Sequence, residues 1–140
     1  MEKEFVDYTE SLELKALGFD EPCFAFYQKE YNEIKPTMVG DDDQYRLTGY
    51  RTCKNSEIPE QYTSAPTYSQ AFRFFREKYR LWQIVQQNTD KDWTYDIMPI
   101  TGMIDYELFD VFDTYEEAEL ECLKKLIELV KEKQLWKKVK

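Results

Sequence analysis

Hydrophobic and polar residues follow a helical period in three parts of the chain. Apolar residues recur three and four positions apart within Tyr68–Arg80 and within Tyr115–Lys133, or as far as Trp136, which places them on one face of a helix. A shorter helix is predicted at Tyr8–Leu17, where Gly18 supplies the left-handed residue that ends a helix. Its apolar residues form no single stripe, so we expect this helix to depend on its neighbours.

Three segments of similar sequence mark the starts of these helices. They are "DYTES", "TYSQA" and "TYEEA", each with an oxygen-bearing side chain, then Tyr, and Glu or Gln two residues after the Tyr. This spacing is that of the capping box, in which the first side chain accepts a backbone N–H and the Glu or Gln reaches back. We therefore predict side-chain caps at Asp7, Thr67 and Thr114. We also predict that Tyr68 and Tyr115 lead the buried faces of the second and third helices.

Between the helices, short segments rich in aromatic and β-branched residues are bounded by turn residues, a pattern that predicts strands. The segment "NTDKD" separates two of them and is typical of a hairpin loop. The predicted strands are Cys23–Gln28, Tyr31–Lys35, Gln44–Thr52, Leu81–Gln87, Trp93–Met98 and Tyr106–Phe112. Residues 36–43 and 54–65 are predicted to be polar loops, the second being the more mobile of the two.

The order of the predicted elements indicates the fold class. Neighbouring strands have short connections, which favour antiparallel pairing, and three helices are available to cover the sheet. We therefore predict an α+β fold in which three helices pack on a small antiparallel sheet, in the order α-β-β-α-β-β-α. The chain is predicted to be a single domain over residues 1–140, with a basic tail at 134–140 where the helix end can fray.

Composition limits the classes of protein to which the chain can belong. It has 140 residues, of which 42% are hydrophobic and 16% are aromatic, as expected for a folded domain. No apolar run approaches the roughly 18 residues that a membrane-spanning helix needs, and the acidic N-terminus lacks the features of a signal peptide. We therefore expect a cytoplasmic protein with no membrane partner.

The residue types needed for several kinds of chemistry are missing from the sequence. There is no His, and the three Cys residues are far apart, which excludes Ser-His-Asp catalysis and the common zinc sites. With four Gly residues and no Gly-rich motif, a nucleotide-binding loop is not expected. We therefore predict no catalytic residue, no metal and no cofactor, and we expect Cys23, Cys53 and Cys122 to be core residues.

Two clusters of carboxylates, at Gly40–Tyr45 and Asp90–Asp96, leave room for an enzyme. Oxygen ligands suit Ca²⁺ and Mg²⁺, and paired carboxylates can act as general acid and base. Neither cluster has the Gly and Glu positions of a calcium loop, so solvated turns are the simpler interpretation. A small enzyme with a carboxylate site remains an alternative.

Three blocks of sequence carry a resemblance to a known family. The segments "LKALGFDEPCFAFY", "APTYSQAFRFFREKY" and "TYEEAELECLKKLIELVK", at Leu14–Tyr27, Ala65–Tyr79 and Thr114–Lys131, together resemble a family of small uncharacterised proteins from phages and mobile elements of anaerobic gut bacteria. The resemblance implies a cytoplasmic setting and a phage or prophage origin. The family has no known activity, so the resemblance assigns no role to any residue.

The best local candidates for binding are basic and aromatic residues. They are Arg73, Phe74, Arg76, Arg80 and Trp136. The three arginines gather on the flank of the second predicted helix that is opposite its apolar face, and Phe74 lies at the edge of that face. Such sets can hold phosphates and stack on bases. Trp136 lies in the basic C-terminal segment, which could contact an acidic partner. Alternatively, the arginines pair with the chain's own carboxylates, and the segment is a solubilising helix end.

Net charge decides between the binding functions that these residues could serve. The net charge of −9 disfavours a general nucleic-acid binder, which needs positive potential at its surface. Tyr, Trp and Arg commonly anchor protein interfaces. The leading hypothesis is a non-enzymatic accessory protein that binds an unknown protein partner, one form being an acidic surface that imitates a polyanion. The alternative from another class is a nucleic-acid-binding module that uses the basic and aromatic helix face.

Overall fold

The computed structural model describes residues 4–28, 34–36, 52–99 and 110–139. Over these residues the chain forms three helices and five strands. In chain order they are α1 (Tyr8–Ala16), β1 (Ala25–Gln28), β2 (Ile34–Pro36), β3 (Tyr62–Ser64), α2 (Tyr68–Tyr79), β4 (Leu81–Gln87), β5 (Trp93–Pro99) and α3 (Tyr115–Val139). The paired strands are all antiparallel. The predicted α+β class and the positions of the helices are confirmed.

The chain divides into two compact units, Met1–Ser69 and Gln70–Lys140. In the described residues each unit has its own sheet, with strand order β2-β1-β3 in the first and β4-β5 in the second. The strands are therefore divided between two sheets, where the sequence suggested one. A short hairpin loop pairs β4 with β5 along their whole length, whereas β1 takes β2 and β3 as its neighbours. The single domain stays a prediction.

The start of α1 is held by tertiary contacts. Asp7 is its N-cap residue, but the predicted side-chain cap is wrong because Asp7 makes no capping hydrogen bond. Instead, the Val6 carbonyl accepts hydrogen bonds from Ser11 Oγ at 3.1 Å and from Tyr27 Oη at 2.8 Å. The Val6 N–H donates to the Pro66 carbonyl at 2.8 Å. These bonds confirm that α1 depends on its neighbours, and Gly18 ends it with φ 92° as predicted.

The segment between residues 52 and 64 is more ordered than its polar composition predicted. The loop prediction is wrong at Tyr62–Ser64, because these residues form β3 and pair with β1. Asn55 accepts from the Ser64 N–H at 2.8 Å and donates to the Phe19 carbonyl at 2.9 Å. Lys15 Nζ donates to the Tyr62 carbonyl at 2.9 Å. Side chains that reach across the first unit thus supply the backbone partners that local sequence does not.

In the second unit, α3 packs against β4 and β5. Its buried face consists of Ala118, Cys122, Leu123, Leu126, Ile127 and Val130. The predicted leading position of Tyr115 is wrong, because 39% of this residue is exposed and its ring meets Trp93 edge-on at 5.3 Å. The predicted cap at Thr114 is confirmed, since its Oγ1 accepts the Glu117 N–H at 3.1 Å.

Some predicted elements lie wholly or largely outside the described residues. They are the strand Gln44–Thr52, most of the strand Tyr106–Phe112 and most of the loop 36–43. Phe112 is described, and its backbone pairs with Trp93 through two hydrogen bonds of 2.7 Å. None of the helices in the part of the chain that the structure describes is both long enough and apolar enough to cross a membrane.

Candidate functional site

A one-residue connection joins α2 to β4 and places the end of the helix beside the start of the strand. α2 ends at Tyr79 and β4 begins at Leu81. Between them, Arg80 has φ 59°, the left-handed conformation that reverses the chain direction in the fewest residues. This sharp turn brings the last turns of α2 next to Trp82, the second residue of β4.

The hairpin of β4 and β5 has one buried and one exposed face. Leu81, Tyr95 and Ile97 are buried, and they share a face because Gln83 pairs with Ile97 and Val85 pairs with Tyr95. The opposite face carries Trp82 directly across from Met98, and Ile84 directly across from Asp96. This face is open at its Trp82 end.

Trp82 and Met98 expose large apolar area at the open end. Trp82 is 51% exposed and Met98 is 41% exposed. The two residues are cross-strand partners, so their side chains leave the sheet side by side. Scattered apolar residues on a surface are ordinary, but an adjacent exposed pair that includes Trp is typical of a contact site.

Arg76 completes this patch from α2. Its guanidinium carbon lies 5.5 Å from the centre of the Trp82 ring, within the range of a cation–π contact worth roughly 0.5–1 kcal/mol at exposed sites. Its Nη1 also donates to Gln83 Oε1 at 3.3 Å. Because Trp82 and Gln83 leave β4 on opposite faces, these two contacts place the guanidinium at the edge of β4, beside the indole. We name this patch of three residues the Arg76–Trp82–Met98 surface.

The structure separates Phe74 from this surface. Only 7% of Phe74 is exposed, and its ring packs edge-on against Phe75 at 5.4 Å and Tyr79 at 5.7 Å. Lys78 Nζ lies 5.3 Å from the centre of the same ring. Phe74 is therefore a core residue that seals the helix, and it does not offer its ring for stacking. Among the described residues, the exposed aromatic ring that an arginine contacts is that of Trp82, beside Arg76.

The other predicted binding residues have different surroundings. Arg73 and Arg80 are exposed, and Arg73 lies one helical turn before Arg76. The Trp136 side chain lies outside the described residues, although the backbone there belongs to α3. Of the predicted set, the structure thus brings Arg76 to an exposed aromatic ring.

Trp82 was not singled out from the sequence, although a signal was present. The "NTDKD" loop and the two flanking segments fix the hairpin register, which pairs Ile84 with Asp96 and so places Trp82 on the face that carries a carboxylate. In a two-faced strand, the face with the charged residue is the one expected in solvent. Assigning faces to the predicted strands would have found the exposed Trp.

Two of the described carboxylates, Asp92 and Glu119, contact residues close to them in the chain. Asp92 Oδ1 accepts hydrogen bonds from the Thr89 hydroxyl at 2.7 Å and from the Thr89 N–H at 2.9 Å, and these bonds lower the pKa of Asp92. Glu119 is half-buried on α3, and burial raises its pKa while a hydrogen bond from Tyr115 opposes the shift. Among the described residues, no three Cys, Asp or Glu side chains are grouped so that they could hold a metal ion.

Comparison of the chain with protein-family models, with curated proteins and with solved structures finds no match. No residue role can therefore be carried over from a relative. The case for a function therefore rests on the side chains that the fold exposes. Among the described residues, the Arg76–Trp82–Met98 surface is the strongest candidate for a binding site.

Proposed function

We propose that this chain is a non-enzymatic accessory protein that binds another protein through the Arg76–Trp82–Met98 surface. The observation that carries the proposal is the exposure of Trp82, of which 51% faces solvent while the Arg76 guanidinium is held over its ring. A fold that needed Trp82 only for stability would bury more of it, because a Trp side chain gains free energy from every part of its surface removed from water.

The chemistry of this surface suits a protein partner. Trp and Arg are the residue types most enriched among those whose truncation costs an interface about 2 kcal/mol or more. Met is enriched at interfaces as well, because its flexible thioether fits partners of irregular shape. The cation–π contact and the Gln83 hydrogen bond reduce the entropy that Arg76 would lose on binding. The surface therefore combines an apolar anchor with a charge already held in position.

The cellular setting belongs to the same proposal. The resemblance of three sequence blocks to proteins of phages and mobile elements supports a phage or mobile-element origin and a cytoplasmic location. No other observation bears on the origin.

A nucleic-acid-binding module is the second candidate, because an exposed indole beside arginines can also stack on an unpaired base. Arg73 is exposed one helical turn before Arg76 and could contact a backbone phosphate. The net charge of −9 opposes this function, since repulsion of the phosphates would have to be overcome locally. Binding of a single-stranded oligonucleotide that requires Trp82 and weakens steeply with salt would favour it.

The experiment that tests the proposed function compares Trp82→Ala with a matched variant. Phe24 is an aromatic residue of the first unit with similar exposure, 48%, so Phe24→Ala controls for the loss of an exposed ring. Immobilised wild-type chain and both variants are incubated with lysate of the cells in which the chain occurs. We expect a protein that is retained by the wild type and by Phe24→Ala but lost with Trp82→Ala.

Two results would contradict the proposal. A partner that remains bound to Trp82→Ala would show that binding uses another surface. The absence of any retained protein with correctly folded wild-type chain would count against an interaction function altogether. Circular dichroism and the unfolding midpoint of each variant confirm that the fold is intact before binding is compared.

A further inference from the structure

The helix that precedes the exposed Trp is basic in sequence, whereas the whole chain is acidic. Residues 68–80 contain four basic side chains and one acidic side chain, Glu77, whereas the whole chain has a net charge of −9. Two of the basic residues, Arg73 and Arg76, lie one turn apart on α2, and Arg76 is held over Trp82. The Arg76 guanidinium thus places a positive charge directly beside the apolar anchor.

We propose that the Arg76–Trp82–Met98 surface binds an acidic segment of its partner, one in which a carboxylate lies next to a large apolar side chain. This inference rests on the proposed function and adds the chemistry of the occupant. The charge complementarity supplies both attraction and selectivity, since the remaining, acidic part of the chain repels such a segment from other sites.

The guanidinium of Arg76 is positioned for a carboxylate. Arg has five N–H donors in a planar fork, and Gln83 Oε1 takes one of them at 3.3 Å. A carboxylate can accept from two donors of such a fork at once, which makes the contact strong and directional. Because the indole lies 5.5 Å below the guanidinium, an apolar side chain next to that carboxylate meets Trp82 and Met98.

The hairpin also gives the segment a direction. Asp96 lies on the same face of β5 as Met98, two residues earlier, which is about 6.6 Å along the strand. This carboxylate repels another acid. The acidic end of the bound segment therefore lies at the Arg76 end of the surface, and its apolar side chain lies over Met98 and toward Ile84.

A display library of short random peptides tests this inference even while the partner is unidentified. The library is selected on the full chain, and the peptides that also bind Trp82→Ala are removed. We expect the remaining peptides to be enriched in Asp or Glu next to an aromatic or large aliphatic residue. The same preparation is tested with a single-stranded thymidine oligonucleotide.

The outcomes separate the inference from the proposed function. If the peptides that need Trp82 for binding are neutral or basic, the proposal of an acidic segment is overturned, but the proposal of a protein-binding surface is kept. Binding of the oligonucleotide in place of peptides, dependent on Trp82, would also overturn it and would favour the nucleic-acid function. Failure to recover any Trp82-dependent ligand would contradict both proposals.

A charge exchange at Arg76 provides the second measurement. For a selected acidic peptide, Arg76→Glu should weaken binding about tenfold or more, the size expected for loss of a charge-assisted hydrogen bond. The same variant should bind a version of the peptide with Lys in place of the acid better than the wild type does. Lys91 is an exposed cation of the hairpin loop, and Lys91→Glu should change neither affinity by more than about twofold. Equal losses of affinity for the acidic peptide in Arg76→Glu and Lys91→Glu would show that Arg76 acts only through its general charge, and would overturn its proposed contact with the carboxylate.

Discussion

At the scale of single residues, Arg80 is a position that the sequence suggests for binding but that has a structural role in the fold. In the sequence it belongs to the basic set of the second predicted helix, yet its backbone has φ 59° and forms the whole connection between α2 and β4. A side chain with a Cβ atom is strained in this conformation, and Gly is not. The left-handed backbone at Arg80 is therefore needed for the tight turn, and the exposed guanidinium does not require it.

Replacing Arg80 with Gly should therefore raise the free energy of unfolding, by as much as about 1 kcal/mol, because the strain of the left-handed conformation is removed. The matched control is Arg73→Gly, which removes the same side chain from the interior of α2 and should lower the free energy of unfolding by about 1 kcal/mol. Urea unfolding of both variants measures the difference. Equal destabilisation by the two substitutions would show that the Arg80 side chain, and not its backbone, matters.

In the proposed function, the exposed ring of Trp82 takes the role that the sequence gave to Phe74. Both are aromatic residues near the same arginines, and the sequence favoured Phe74 because of its place at the edge of an apolar stripe. Its ring is covered by Phe75 and Tyr79. Small differences in angle around a helix decide whether an edge position is buried, and neighbouring elements set that angle.

At the scale of elements, the helix starts follow local sequence more closely than the helix faces do. The three helices begin at Tyr8, Tyr68 and Tyr115, as the repeated segments predicted. Their caps differ, since Thr114 accepts a backbone N–H and Asp7 does not. The start of α1 is fixed instead by the contacts of Val6.

The two caps predict different costs for the same kind of substitution. Thr114→Ala should lower the free energy of unfolding by about 1 kcal/mol, because a backbone N–H of α3 loses its acceptor. Asp7→Ala should cost only a few tenths of a kcal/mol, which is the charge–dipole part alone. Thermal or urea unfolding distinguishes the two, and Thr114→Ser should restore most of the loss. A larger cost for Asp7→Ala would mean that its carboxylate caps the helix in solution.

The hairpin of β4 and β5 was predictable nearly to its ends, and the reason is again local. A turn-forming loop between two segments of suitable length fixes which residues pair. β3 was missed for the opposite reason, because three residues are too few to show the alternation that predicts a strand. They form a strand because β1 has an edge to pair with and Asn55 accepts the Ser64 N–H.

At the scale of the whole molecule, the buried thiols connect packing to pH. Burial raises the pKa of Cys23 from 9.0 to about 12 and that of Cys53 to about 11. Burial also raises the pKa of Cys122. The folded chain therefore keeps these protons at a pH where the unfolded chain has lost them, so the unfolded state binds fewer protons and stability falls as pH rises.

We expect full stability below about pH 8.5 and a progressive loss between about pH 9 and pH 12, limited to about 1.4 kcal/mol per pH unit for each thiol. Urea unfolding at several pH values in this window measures the slope. Cys53→Ala should reduce the slope, because one of the raised thiols is gone. If the unfolding free energy falls with pH at the same slope in wild type and variant, the loss of stability belongs to other groups. One such group is Tyr95, whose pKa burial also raises to about 12.

The sequence by itself determined the α+β class, the three helices, the hairpin of β4 and β5 and the burial of the cysteines. All of these depend on periodicity, turn residues and composition, which act between residues close together in the chain. The tertiary structure alone decided which faces are covered. Tyr95 is buried with Cys122 and Glu121 of α3 among its neighbours, so the opposite face of the hairpin is the one left open. Trp82 is exposed for that reason: burial depends on residues far away in sequence, and no local pattern contains them.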